Sequence, residues 1–282
     1  MKAKFSGPHE QTRSERGRRG SLTERERRWW RELARREQDS ERPNFTKRGY
    51  WSATRCPLPC IVFIAPLLAA YEFGLIFSAG ATTRAGADAW ARQALQAIGF
   101  TDNLFPPLLL VIGLLAWQVT DHQNWRFSPW HQVGMALESL VLALGLIGLS
   151  RLVDLGLTHV ETRKLLEASN GANSSWICYL GAGIYEEAIF RLALIPLLFW
   201  GLRLIQAPNV MAGTLAVTTS SLVFALAHHV GIPGESFTWF AFIFRWAAGV
   251  YFAWIFLARG FAVAVGTHAA YDVMVGRLGW HW

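Results

Sequence analysis

The chain has 282 residues, 52% of them hydrophobic and only 17% charged, where a soluble domain usually carries about 45–50% apolar and about 25% charged residues. Its formal charge of +7 suggests a nucleic-acid partner until the charges are located: residues 1–55 hold 16 of the 27 Lys and Arg and 8 of the 20 Asp and Glu, a net of +8, leaving −1 for residues 56–282. The basicity belongs to a tail, the mean hydropathy of the whole chain is +0.22 even with that tail included, and no nucleic-acid partner is expected.

The tail, residues 1–55, has no apolar run before Pro57 and no small-residue cleavage site, so it does not read as a signal peptide and is expected to remain cytoplasmic. Its composition reads as a largely disordered charge run. Segment 22–38, with Trp29, Trp30 and Leu33 among Arg and Glu residues, is alternatively a short helix lying on an anionic leaflet. Cys56, Cys60 and Cys178 make neither a disulfide framework nor a zinc signature.

From residue 56 onward the chain reads as one transmembrane helical domain. Crossing a bilayer core of roughly 30 Å takes about 20 mostly apolar residues. Seven stretches approach this: 58–79, 104–120, 132–150, 173–200, 211–228, 238–257 and 261–276. The fourth is long enough to tilt strongly or to break near Pro196. A shallow or re-entrant segment around 87–100 would be an eighth. The fold class is therefore all-α, a polytopic membrane bundle of seven to eight transmembrane helices. Trp117, Trp125, Trp130, Trp176, Trp200, Trp239 and Trp254 fall mostly at span ends, where an indole places its ring at headgroup level. Arg84, Arg92, Arg151, Arg163 and Lys164 fall on the outer side and Arg126, Arg203 and Arg259 inside, so only the tail carries a clear positive-inside signal.

An ionisable side chain at membrane depth costs at least about 2.5–3.5 kcal/mol, so each needs a partner or a purpose. The fourth span holds three: Glu187 and Arg191 are four apart and share a helix face, whereas Glu186 is rotated about 100° away and is free to work. The fifth span ends in Phe224-Ala225-Leu226-Ala227-His228, and the seventh carries His268 and Asp272 one turn apart. Histidine is the side chain whose ordinary pKa lies closest to neutrality, which suits it to general-base work. Three helices bringing polar groups are expected to meet in one interior site, because polar groups facing lipid are far more costly. Glu72 and Glu138 have no local partner; they face a water-filled cavity or pair with Arg245. His122, His131, His159, His229 and His281 read as interfacial.

The order E-E-x-x-x-R, F-x-x-x-H, H-x-x-x-(N/D), here Glu186, Glu187 and Arg191, then Phe224 and His228, then His268 and Asp272, resembles that of the CAAX prenyl protease and bacteriocin-processing (CPBP, Abi-type) intramembrane proteases. The resemblance covers roughly residues 130–276. It implies an endopeptidase in which Glu186 and His228 activate a water while His268 and Asp272 line the oxyanion side, acting on a membrane-bound or lipidated polypeptide in a prokaryotic cytoplasmic membrane. An ionised Asp272 cannot donate to an oxyanion as Asn does, so it is protonated or orients His268; orientation is the favoured reading. No cofactor is required on this reading. The alternative is a catalytic zinc at Glu186, His228 and His268, which would have to converge from three helices without an H-E-x-x-H motif. Two other classes fit the composition: a transporter using the buried Glu, His and Arg as a proton or substrate pathway, and a non-catalytic scaffold or immunity protein.

Overall fold

A computed structural model describes residues 49–78, 84–121, 125–126, 128–156, 176–230 and 237–276, together with Glu24 and Arg28. The readings of a disordered tail and of a helix at 22–38 lie outside the described residues, as do His122, His159, Arg163, Lys164 and His281. Met1–Arg48 and Gly49–Trp282 separate as two units, and the helical bundle is the second.

A short turn, α1 (Tyr50–Ala53), leads into α2 (Pro57–Phe77), where proline near the first position loses nothing, since that N–H has no helical partner. On α2 the buried residues Cys60, Ile64, Leu68 and Tyr71 follow the three-and-four spacing of one helix face. The segment expected to be shallow is a 12-residue helix, α3 (Gly86–Ala97), too short to cross a bilayer. It is docked by a charge network: Asp88, fully buried, accepts from Arg92 Nε at 2.7 Å and from Tyr71 Oη at 2.7 Å, while Arg92 Nη2 donates to Glu72 at 3.1 Å. Then come α4 (Phe105–Thr120) and the 28-residue α5 (Pro129–Gly156), whose buried stripe is Met135, Ser139, Ala143 and Leu146.

The fourth predicted span is one helical run in three parts: α6 (Trp176–Glu187), a π-helical segment (Ala188–Leu194) and α7 (Ile195–Leu204). The chain widens at Pro196 and does not break there. Proline has no N–H for the carbonyl four residues back and its ring crowds that oxygen, so bonding in the preceding turn relaxes to the longer π pattern. After α8 (Asn209–Ala227), α9 (Trp239–Arg259) is capped by Thr238, whose hydroxyl accepts from the Ala241 N–H at 3.1 Å. Thr238→Ala should lower stability by about 1 kcal/mol, measured as a fall in thermal midpoint in detergent. Gly260, at φ +97°, turns the chain into α10 (Phe261–Gly276); L-residues avoid that region.

Every residue from Phe261 to Ala269 is buried, so α10 is the central helix, packed against α5, α6, α9 and α2. α6 and α10 approach closely at Gly183, where a Cβ would sit 2.8 Å from the Ala269 nitrogen. At the end of the bundle where α2 begins and α9 meets α10, Arg259 pairs with Glu138, donating to Oε2 at 2.7 Å, and its guanidinium lies 3.8 Å from the Trp51 ring centroid. Glu72 and Glu138 thus pair with Arg92 and Arg259, and not with Arg245, because α3 and α9 bring these guanidiniums within reach.

Among the described residues there is no strand, and the protein is an all-helical integral membrane protein. Four helices, α2, α5, α8 and α9, are long and apolar enough to cross a membrane; α4 and α10 are apolar but shorter. In those four, only 22% to 33% of the apolar window is buried. The remainder, including Phe73, Leu137, Val141 and Val210, faces outward, an apolar area that calls for lipid around it.

Candidate active site

Three helices and a π turn deliver the site. Glu186 and Glu187 stand at the last two positions of α6, where the α-helix gives way to the wider π segment carrying Arg191. Single π turns in α-helices are common at functional sites because they displace side chains from regular register. Glu187 is fully buried and has two partners: Arg191 Nη1 lies 3.2 Å from its Oε1, and His268 Nδ1 lies 2.8 Å from the same oxygen. Arg191 also donates to the Gly249 carbonyl at 3.3 Å and lies 4.3 Å from the Phe224 ring centroid, so its charge is met by a carboxylate, a carbonyl and an aromatic face.

His228 caps the C-terminus of α8. Its Nδ1 lies 2.8 Å from the Phe224 carbonyl oxygen. A carbonyl only accepts, so this nitrogen carries the proton and a neutral ring keeps its lone pair on Nε2. That Nε2 is 3.6 Å from Glu186 Oε2. On α10, His268 stacks on Phe252 (4.4 Å between centroids, 15° between planes) and donates through Nδ1 to Glu187, which turns its own Nε2 to 3.6 Å from the same Glu186 oxygen. Glu186 Oε2 is buried and has no hydrogen-bond partner. One carboxylate oxygen thus faces two imidazole nitrogens at a distance just beyond direct hydrogen bonding, the kind of gap in which a water sits.

The groups line a cavity of about 80 Å³, walled by Leu146, Phe224, Phe244, Ala248 and Phe252 and edged by Arg245, Tyr271 and Asp272. Glu186, His228, His268 and Asp272 are therefore brought together. Glu187 and Arg191 lie behind them and support His268.

The geometry departs from the sequence reading at two points. Glu187 is more than the partner of Arg191, for it also fixes His268. Asp272, read as the residue orienting that imidazole, lies 3.7 Å from His268 Nε2, while the short bond to Nδ1 comes from Glu187. The contact joins residues 81 apart in sequence, and its one sequence-level trace is the small pair Gly183 and Ala269 that lets the two helices close up. Arg245 and Tyr271 line the cavity without having been assigned to a site. His131 and His229 lie outside the cavity lining and pack against aromatic rings, Tyr50 and Phe237 respectively. None of the three cysteines forms a disulfide. Among the described residues no group of three or more His, Cys, Asp or Glu side chains is arranged to hold a metal ion.

Residues 170–274 match the family model described as type II CAAX prenyl endopeptidase Rce1-like. The site-bearing segment is thus similar to that family. The match takes in Glu186, Glu187, Arg191, His228, His268 and Asp272, the residues on which the resemblance to the CAAX prenyl protease and bacteriocin-processing group rests, and stops short of the tail and of α1 to α5. Neither the search of curated proteins nor that of solved structures returned a match. Within the matched segment, every motif residue except Phe224 carries a polar group at the cavity or directly behind it, and Phe224 lines it.

Proposed function

We propose that the protein is an intramembrane endopeptidase that hydrolyses a peptide bond of a membrane-bound or lipidated polypeptide. The observation that carries this reading is Glu186 Oε2, buried, unpartnered and 3.6 Å from the Nε2 atoms of both His228 and His268. A water held between the carboxylate and His228 gives its proton to Glu186 as its oxygen bonds to the scissile carbonyl carbon, and the carbonyl π pair moves onto oxygen. The intermediate then collapses. The C–N bond breaks, the proton held by Glu186 goes to the leaving nitrogen, and one water has been consumed to give a carboxylic acid and an amine. His268, held through Nδ1 by Glu187, presents Nε2 to the same centre.

The fold reading that accompanies this is seven crossings, formed by α2, α4, α5, the α6 to α7 run, α8, α9 and α10, with α3 lying shallow at one face. A basic tail on the cytoplasmic side of a prokaryotic membrane completes it. Prenylated CAAX substrates enter through the name of the matching family alone.

The test is cleavage of a library of lipidated, internally quenched peptides by the purified protein in proteoliposomes, run beside Glu186→Gln and repeated with a chelator. Cleavage lost in the variant and kept under chelator is the expected result. Cleavage that survives Glu186→Gln removes the assignment, and loss under chelator returns zinc at Glu186, His228 and His268.

A further inference from the structure

Glu186 has to face a water and a scissile carbonyl, yet among the described residues no hydrogen bond holds its Oε2 in place. The direction of that carboxylate is therefore set by the backbone that carries it, at the end of α6, where regular α-helical bonding gives way to the π segment. Successive residues on a helix are rotated by about 100°, so Tyr185 and Glu187 project to either side of Glu186. Both are tied down. Glu187 is held to α10 through His268 Nδ1 at 2.8 Å. Tyr185, 3% exposed, donates its hydroxyl to Glu72 Oε1 of α2 at 2.9 Å.

The far end of this second tie is itself anchored. Arg92 of α3 donates to the same Glu72 oxygen at 3.1 Å and to Asp88 at 2.7 Å. Tyr71, one residue before Glu72, meets Tyr185 edge-on at 5.7 Å between ring centroids. It also packs so closely on Gly181 that a Cβ there would overlap its ring, and Gly181 and Tyr185, four apart, share the face of α6 that meets α2. Ring packing sets how near α6 stands to α2. The hydroxyl bond, directional and to a charged acceptor, sets how α6 is rotated.

We propose that Tyr185 is a positioning residue for Glu186: its bond to Glu72 fixes the rotation of the end of α6 and so the direction in which the carboxylate faces. The inference rests on the hydrolase reading above, and it gives α2 and α3, which lie outside the matched residues 170–274, a part in the site. The competing role is docking alone, in which Tyr185 only helps to hold α3 against the bundle. Tyr71 separates the two, because its hydroxyl makes a comparable bond to Asp88 of α3, at 2.7 Å, that bypasses Glu72.

The experiment measures kcat, KM and thermal midpoint, with the best-cleaved peptide of the library, for Tyr185→Phe, Tyr71→Phe, Glu72→Ala and the double variant Tyr185→Phe with Glu72→Ala. Tyr185→Phe is also placed in the Glu186→Gln background, where residual cleavage is followed in a single turnover with protein in excess. Expected for Tyr185→Phe is a fall in kcat of about 10–10² with KM within about threefold and a midpoint near wild type, because a small misplacement of a reacting group acts on the chemical step. Tyr71→Phe keeps its ring on Gly181 and should keep kcat close to wild type. Glu72→Ala should lower kcat as Tyr185→Phe does, and the double variant no further than Glu72→Ala, since both remove one bond. In the Glu186→Gln background Tyr185→Phe should leave the residual rate unchanged, there being no carboxylate left to aim.

An unchanged kcat in Tyr185→Phe overturns the proposal, and so do additive losses in the double variant. An equal loss in Tyr71→Phe overturns it in favour of docking. A residual rate that falls in the Glu186→Gln background as far as it falls in the wild type overturns it in favour of a general loosening of the bundle. Cleavage that is lost in Glu186→Gln and intact in Tyr185→Phe defeats this inference alone; survival of cleavage in Glu186→Gln defeats the underlying reading as well.

Discussion

Glu186→Gln should lower peptide hydrolysis by about 10²–10⁴-fold, the range lost with a general base, and leave the fold where it is. The two halves of that expectation come from one observation. Glu186 Oε2 is buried yet has no hydrogen-bond partner, and the imidazoles stand 3.6 Å away. A carboxylate oxygen that accepts no hydrogen bond within the bundle contributes little to holding it together, so an amide of the same shape should replace the side chain with little loosening of α6, α8 or α10. An amide cannot take a proton from water, and the residual rate is that of the His228 Nε2 lone pair acting alone. A thermal midpoint close to wild type with hydrolysis gone is the signature of a working group. A large drop in midpoint with activity in proportion to folded protein would assign Glu186 to structure instead. His228→Ala should give the same dissociation with a smaller loss of activity, because the carboxylate that takes the proton is still in place.

The periodicity that led to these residues explains what was readable in the sequence and what was not. Apolar spacing located α2, α4, α5, the long fourth run, α8, α9 and α10 to within a few residues, since a helix must turn a stripe such as Met135, Ser139, Ala143 and Leu146 inward. The same reasoning placed Glu187 and Arg191 on one face, and they do pair. A stripe says which side of a helix is covered but not which helix covers it. Arg259 therefore went unmatched to Glu138, 121 residues away, and Arg92 to Glu72, 20 away, and Arg245 was offered to both. The π turn was legible only as the awkwardness of Pro196, because a local bonding preference states that the helix must deform and not how. The second bond of Glu187 was hidden for a related reason. It depends on how closely α6 and α10 approach at Gly183, a tertiary distance that spacing along one helix does not contain.

That second bond makes Glu187 the position where stability and chemistry should separate most sharply. Glu187→Ala removes the acceptor of the His268 Nδ1–H and the counter-charge of Arg191, leaving that guanidinium, 1% exposed, and the imidazole beside an apolar methyl. Stranding a buried charge costs about 3–5 kcal/mol, so this variant should show a markedly lower thermal midpoint along with lost activity, and by itself says little about catalysis. Glu187→Gln keeps an oxygen for His268 but makes that hydrogen bond a neutral one and gives up the charge opposite Arg191; a smaller fall in thermal midpoint than for Glu187→Ala is expected, with part of the activity retained. The informative variant replaces both members of the pair, Glu187→Met with Arg191→Met. Buried ion pairs exchanged together for apolar residues of similar volume are often neutral or stabilising, so the midpoint should return toward wild type. Activity should not return with it, because His268 then has no acceptor on Nδ1 and nothing but its stacking on Phe252 to keep Nε2 aimed at Glu186. Recovery of hydrolysis in the double variant would mean that the imidazole is oriented by packing alone and that Glu187 serves only to neutralise Arg191.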